Sequence, residues 1–231
     1  LLNPKQDSKP IHKYQHIYAT FLYMVVTLFW IFFEDFIIMI RKDSANARIK
    51  KIPMIEWVKI IGIKIIYLFN YIALPCILTD FSLIQVTSAF LIMHFVVSVF
   101  LTFTFFISHH IQEVKYVRAN EQTNVIENSW LSHQINTTID FHPKSHIAHF
   151  IFGGFNTHIA HHIFPEICHI HYPTLTQIVK ETLEENNVGH WYKSFTFGEG
   201  MKSHILHLKK TAHEILDAQE KDEIVALNTS N

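Results

Sequence analysis

The run from Leu83 to Ile107, LIQVTSAFLIMHFVVSVFLTFTFFI, contains no Asp, Glu, Lys or Arg. As a helix rising about 1.5 Å per residue it reaches roughly 37 Å, more than the ~30 Å of hydrocarbon in a bilayer. The block before it, Trp57 to Leu78, has the same character: Ile60-Ile61, Ile63, Ile65-Ile66-Tyr67-Leu68-Phe69 and Ile72-Ala73-Leu74 follow one another. Its two cations, Lys59 and Lys64, sit near its start, where a long side chain can snorkel to the headgroups. Pro75 and Thr79-Asp80-Phe81-Ser82 supply the turn. The two blocks predict a transmembrane helical hairpin, with spans of about 57–78 and 83–107. The alternative, a helical pair in a water-soluble core, does not suit blocks so long and uninterrupted.

Outward from the hairpin the signals weaken. Ile17 to Phe33 is at the lower length limit for a span and runs into Glu34-Asp35, so it either crosses the membrane or lies along its surface as an interfacial helix. Arg41, Lys42, Arg48, Lys50 and Lys51 precede the hairpin, Lys115 and Arg118 follow it, and its turn has neither Lys nor Arg. The positive-inside rule then puts both flanks, and everything from Ser108 to Asn231, on the cytoplasmic side. Pro173 to Glu185 and Met201 to Leu216 carry helical periodicity. Residues 217–231 are polar and read as a frayed tail. The expected fold class is an all-α membrane protein: a transmembrane helical hairpin, an interfacial helix at about 17–33 and a cytoplasmic histidine-rich helical cap.

Composition supports this and excludes other classes. Charged residues make up 17%, against about 25% in an average soluble domain. With 19 Lys and Arg against 20 Asp and Glu, no basic field exists to hold nucleic acid. Two cysteines exclude a disulfide scaffold and a multi-cysteine zinc ribbon. Leu1-Leu2-Asn3-Pro4-Lys5 shows neither an initiating Met nor a leader pattern, so the chain is expected to be the C-terminal part of something longer.

The outlying count is 18 histidines, eleven of them between His109 and His171. The sharpest cluster is Gly153-Gly154-Phe155-Asn156-Thr157-His158-Ile159-Ala160-His161-His162-Ile163-Phe164-Pro165. On a helix His158 shares a face with His161 and His162, which lie about 100° apart around the axis. Imidazoles so placed aim at one metal or at two adjacent ones, and neutral imidazole suits iron, copper, nickel or zinc. The HExxH pattern of zinc proteases is absent. His109 and His110 close the second span; by residue type His109 is as readily a snorkelling side chain as a ligand. Glu113, one turn beyond, is placed to orient its ring. His12 and His16, and His142, His146 and His149, match metal boxes in spacing alone. His169 and His171 are expected to shape a turn or meet headgroups, and His94 to be a hydrogen-bonded packing residue. His190, His204, His207 and His213 are expected at the surface.

The stretch from Gly153 through His158, His161-His162 and Phe164-Pro165 to His169-Ile170-His171-Tyr172-Pro173 resembles the third histidine box of membrane fatty acid desaturases. The resemblance is nearest to the bacterial acyl-lipid and linoleoyl-CoA-like branch, related to the front-end enzymes. Gln15-His16-Ile17-Tyr18-Ala19 with Phe33-Glu34-Asp35-Phe36 resembles the segment after the second box. His109 through Glu113 resembles the end of the last span. Trp130-Leu131-Ser132-His133-Gln134 with Thr137-Thr138-Ile139-Asp140-Phe141 resembles the stretch before the third box. The similarity runs from about Leu1 to Thr182. Two departures stand out: many front-end relatives carry Gln where this chain has His158, and the family's upstream HxxxH and HxxHH boxes are missing.

The resemblance implies an oxygen-dependent desaturase with two non-haem iron ions, residues 1–216 forming the C-terminal part of the domain. His158, His161, His162 and His109 are the implied iron ligands. Glu113, His133, Asp140 and Asn156 are expected to support them, and Phe100 to Ile107 and Phe150 to Phe152 to line an acyl channel. Implied partners are O2, a fatty acyl-CoA or acyl-lipid substrate, a cytochrome or ferredoxin-type electron donor and the lipid bilayer, in a bacterial inner membrane with the catalytic side cytoplasmic. Lys115 and Arg118 are placed to meet an acidic carrier or a headgroup phosphate, although solvated surface charge is the plainer account of them. With about half of the family's ligand set, the isolated chain is expected to be inactive. A histidine-box hydroxylase, or a non-catalytic metal- or haem-binding remnant, stays open as an alternative. The missing boxes would have to meet the histidines on one side of the bilayer, and the hairpin already returns the chain to its starting side, so the segment 17–33 is expected to lie at the interface. A cysteine-accessibility scan is expected to place residues near Leu1 and His158 on the same side; opposite sides would overturn this topology.

Overall fold

A computed structural model describes residues 9–41, 52–114 and 129–229, together with 117, 119, 120, 122, 123, 125 and 126. The cations behind the sidedness argument, Lys42, Arg48, Lys50, Lys51, Lys115 and Arg118, lie outside the described residues, as does the Arg41 side chain. The chain divides into two units, one formed by Ala19–Thr102 and the other by the flanking segments up to Tyr18 and from Phe103 onward.

A 3-10 turn, Pro10–Tyr14, leads into α1 (Gln15–Tyr23). After Met24-Val25 come α2 (Val26–Phe29), a π turn (Trp30–Glu34) and α3 (Asp35–Arg41). Pro10–Tyr23 and Val26–Ile40 meet at 71°, so this segment counts as a span only if the bent pair is taken together. Two helices are each long and apolar enough to cross a membrane: Met54–Leu78 and Leu83–His109. They match the expected hairpin. The first consists of α4 (Met54–Leu68), a π turn (Phe69–Ala73) and α5 (Leu74–Leu78); the second is α6 (Leu83–His109). Pro75 therefore does not end the first span. The wide π turn lies just ahead of it, where the missing N–H and the pyrrolidine ring disturb regular helix bonding.

Within the Ala19–Thr102 unit a polar knot replaces part of the apolar packing. The Thr27 hydroxyl lies 3.0 Å from His94 Nδ1 and 2.6 Å from the Ser98 hydroxyl, while Tyr67 Oη meets His94 Nε2 at 2.8 Å. Both ring nitrogens are engaged, so His94 is the hydrogen-bonded packing residue its position suggests. Such bonds match the need of every polar group in hydrocarbon to find a partner. Lys64 does not simply snorkel: its ammonium donates to Asp35 at 2.7 Å and to the Ile31 carbonyl.

The other unit contains α7 (Trp130–Asn136), β1 (Asp140–Phe141), α8 (His146–Ile151), α9 (His158–Ile163), α10 (Tyr172–Glu185), β2 (Ser194–Phe195) and α11 (Phe197–Thr229). β1 and β2 pair in parallel, Asp140 opposite Ser194 and Phe141 opposite Phe195. Apart from this two-residue ladder the described residues are helical or irregular, as the all-α expectation has it. Ile135, Ile159, Val179 and Leu183 form a core, against which Phe164 and Trp191 pack. Phe152 packs within an aromatic group with Phe141 and Phe197, while Phe150 is 87% exposed.

α10 begins at Tyr172 with Pro173 in its first turn, where a missing N–H costs nothing. α11 continues to Thr229 through the stretch expected to fray, because after Gly200 it holds no glycine or proline and many good helix formers. Its buried stripe includes Ser203, His204, His207, Leu208, Thr211, Ala212 and Ile215. His204 and His207 are thus buried, contrary to expectation, whereas His190 is exposed. The stripe needs polar members because it meets backbone: His204 Nδ1 donates to the His110 carbonyl at 2.6 Å, and the Leu208 carbonyl accepts from Gln15 Nε2 at 2.6 Å.

His94→Leu strands the Tyr67 hydroxyl and removes one partner of Thr27, whose hydroxyl keeps Ser98. It is expected to destabilise the Ala19–Thr102 unit by about 1 kcal/mol, the scale of hydrogen bonds in membrane helices. A double-mutant cycle with Thr27→Val, read by unfolding in detergent, is expected to show coupling; simple additivity would mean the residues do not act together.

Candidate metal centre

His109 is the last residue of α6, and two bonds fix what surrounds it. The Ile139 N–H donates to the Ser108 carbonyl at 3.0 Å, tying the strand approach to the end of the helix. The adjacent Thr137 carbonyl accepts from His109 Nδ1 at 3.1 Å. One residue further, the Asp140 side chain is fully buried and accepts from the Ile159 N–H at 2.8 Å and from the Tyr192 hydroxyl at 2.7 Å. The Ile159 N–H is an unsatisfied donor at the start of α9, so Asp140 caps the histidine helix from a neighbouring strand. The turn into α9 uses Gly153 and Gly154 at positive φ. A Cβ on Gly154 would lie 2.8 Å from the His169 Cβ, so no larger residue fits.

These constraints bring three Nε2 atoms together: His109 to His158 at 2.9 Å, His109 to His162 at 3.1 Å, and His158 to His162 at 3.2 Å. Among the described residues this is the one cluster of three such donors. A first-row metal about 2.0–2.1 Å from each nitrogen, with bond angles of 90–109°, requires nitrogen separations of about 2.9–3.4 Å. The tautomers support the same reading. Thr137 offers His109 Nδ1 only an acceptor, and Gln134 Oε1 accepts from His162 Nδ1 at 3.0 Å. Both rings then turn Nε2 lone pairs inward, and one proton on His158 Nε2 leaves lone pairs facing each other. A cation at their centre would resolve this.

Burial and neighbouring imidazoles favour the neutral rings that ligation needs. Burial first, then proximity to His109 and His161, lowers His162 to about 4. His158 is shifted down more strongly for the same reasons, with His162 also contributing. Asp140 moves the other way: desolvation raises it to about 7 despite the hydrogen bonds that favour its charged form.

The remaining expected residues fall in different places. His161 lies on the same helix with its ring centre 5.3 Å from that of His158, but its Nδ1 meets the Tyr172 hydroxyl at 3.2 Å and it stays outside the triad. Glu113 does not serve His109: it accepts from Ser203, and Thr137 occupies the His109 Nδ1 direction. His133 leaves Nδ1 buried without a partner among the described residues, while its neighbour Gln134 touches His162. Asn156 is fully buried and donates to the His142 carbonyl at 3.2 Å, bracing the turn before α9. Gln134, Thr137, Tyr172 and Tyr192 were not singled out by sequence reasoning. Gln134 and His133 are consecutive on a short helix, and only the packing decides which of the two faces inward.

The family model described as "Fatty acid desaturase" matches residues 3–194. The chain is 30% identical over 200 residues to an acyl-lipid (8-3)-desaturase of Physcomitrium patens, covering 86% of this chain and 41% of that protein. It is 33% identical to the Delta(5) fatty acid desaturase A of Dictyostelium discoideum (93% and 46% covered) and 26% identical to the sn-1 linoleoyl-lipid 6-desaturase of Synechocystis (81% and 52%). The chain spans about half the length of the curated relatives it matches. No solved structure matches it.

The shifted groups fix a pH dependence. His110, His162 and His204, each lowered to about 4, and His158 bind fewer protons folded than unfolded below about pH 6.5. Their contribution is present above pH 6.5 and lost as pH falls toward 4. Asp140 opposes this, its contribution fading as pH rises from about 4 to 7. Four groups outweigh one, so thermal unfolding is expected to move to lower temperature between pH 6.5 and 4. His204→Gln is expected to flatten that slope; an unchanged slope would remove His204 from the account.

Proposed function

Because the chain belongs to the fatty acid desaturase family, we propose that it forms part of the catalytic body of an oxygen-dependent, di-iron acyl desaturase. The observation that carries this is the convergence of the His109, His158 and His162 Nε2 atoms at 2.9–3.2 Å. These three side chains would hold iron, with His161 as a fourth ligand whose ring the Tyr172 hydroxyl orients. When bound, the metal pair supplies the oxidising chemistry: a methylene pair, O2, two electrons and two protons become a double bond and two waters.

The chain's own part is ligation and orientation. Thr137 and Gln134 fix the His109 and His162 tautomers so that lone pairs face the metal. Asp140 holds the start of α9, and with it His158, against the strand that follows the span. The relatives named for acyl-lipid and linoleoyl-lipid substrates support a lipid-linked acyl chain over a coenzyme A thioester. A cytochrome or ferredoxin-type donor would deliver the electrons at the cytoplasmic face of the membrane. The haem-binding alternative lacks support, because Thr27 and Tyr67 occupy both nitrogens of His94, the histidine inside the spans. Product analysis separates a hydroxylase, which would leave an alcohol rather than a double bond.

Four imidazoles are too few for two iron ions, so the 231-residue chain alone is expected to bind less than a full pair and to be inactive. Anaerobic loading with ferrous iron, followed by metal analysis, tests this. His158→Ala and His162→Ala are expected to abolish retention, and Gln134→Ala to weaken affinity about 10–100-fold, the usual effect of losing a partner behind a ligand. Full loading with desaturation would refute the inactivity; no iron in any variant would refute the centre.

A further inference from the structure

We propose that a second site, in the cavity between the turn after β1 and the first half of α10, binds a phosphate group. The cavity measures about 130 Å³, and a companion of about 360 Å³ shares its Lys144, Ser145 and Lys180 walls. No carboxylate lines either space. Lys144 and Lys180 have no ion-pair partner among the described residues. The Lys180 ammonium is instead parked 5.0 Å above the Tyr192 ring.

The walls also hold polar atoms that the protein leaves unsatisfied. Thr176 is only 5% exposed, yet its hydroxyl has no hydrogen-bond partner, and both ring nitrogens of His149 are buried without one. A buried hydroxyl and imidazole without partners are costly unless a guest or ordered water completes them. Two ammonium groups without an ion pair, Lys180 held only over the Tyr192 ring and within the field of Asp140, select an oxyanion with several acceptor oxygens over water or a cation. A phosphate meets this description, whether free or carried by a lipid headgroup. α10 also joins the site to the histidine centre, since Tyr172 at its start touches His161 and Thr176 lies one turn further on. The site does not depend on iron or on the desaturase reading.

The test uses the 231-residue chain in detergent with radiolabelled inorganic phosphate, and in nanodiscs of phosphatidylcholine with or without phosphatidic acid. Hydrogen exchange over residues 143–149 and 173–180 reports occupancy in the nanodiscs. Saturable phosphate binding is expected, weakened about tenfold or more by Lys144→Gln with Lys180→Gln and weakened by Thr176→Val, while Lys180→Arg retains it. Helix content measured on each variant confirms that it folds. Protection by phosphatidic acid alone would identify the headgroup as the source, and binding of inorganic phosphate a free anion; either supports the site. Absence of saturable binding to both, or binding unchanged by the double substitution, would overturn it and leave a cavity that holds only water.

Discussion

The arrangement around the histidines depends on one buried carboxylate. α9 runs only from His158 to Ile163, far too short to be stable as an isolated helix. Asp140 supplies an acceptor for its first free N–H groups from a strand that is itself bonded to the end of α6. Capping bonds of this kind contribute about 0.5–2 kcal/mol, and here the bond also fixes where the helix starts in space. The Tyr192 hydroxyl on the other carboxylate oxygen ties in the segment leading to β2. The buried Asp140 side chain, on a strand whose preceding residue is bonded to the end of the span, therefore joins the histidine helix to Tyr192.

The parts legible in the sequence are those written in long patterns. Leu83–His109 and Met54–Leu78 announce themselves because a bilayer demands length and apolarity over the whole segment. α10 shows its period over fourteen residues, and the HxxHH spacing forces His158 and His162 onto one face whatever surrounds them. The family follows from the order of these motifs, and the model match over residues 3–194 agrees with it.

What escaped reading is decided by single contacts. The β1–β2 ladder is two residues long on each side and carries no alternation to detect. Gln134 and His133 differ by one position on α7, and a rotation of about 100° determines which one reaches His162. His204 and His207 look polar and exposed by composition, but both are buried, His204 against the His110 carbonyl and the Phe103 and Phe106 rings and His207 beside Thr211. Glu113 has the right spacing to assist His109, yet a backbone carbonyl reached that nitrogen first.

The tautomer arrangement at the histidines has a thermodynamic consequence. Metal sites built from charged or protonated ligands must expel protons as they fill, so their apparent affinity follows pH and the observed heat of binding includes the ionisation of the buffer. Here at least two of the three converging rings, His158 and His162, are already neutral near pH 7. The Nδ1 protons of His109 and His162 are committed to Thr137 and Gln134, on the far side of each ring from the converging Nε2 atoms. Filling such a centre in neutral solution is nearly proton-silent. Its calorimetric signature should be close to the same in two non-coordinating buffers of different ionisation enthalpy, a property set by two hydrogen bonds that never touch the ion.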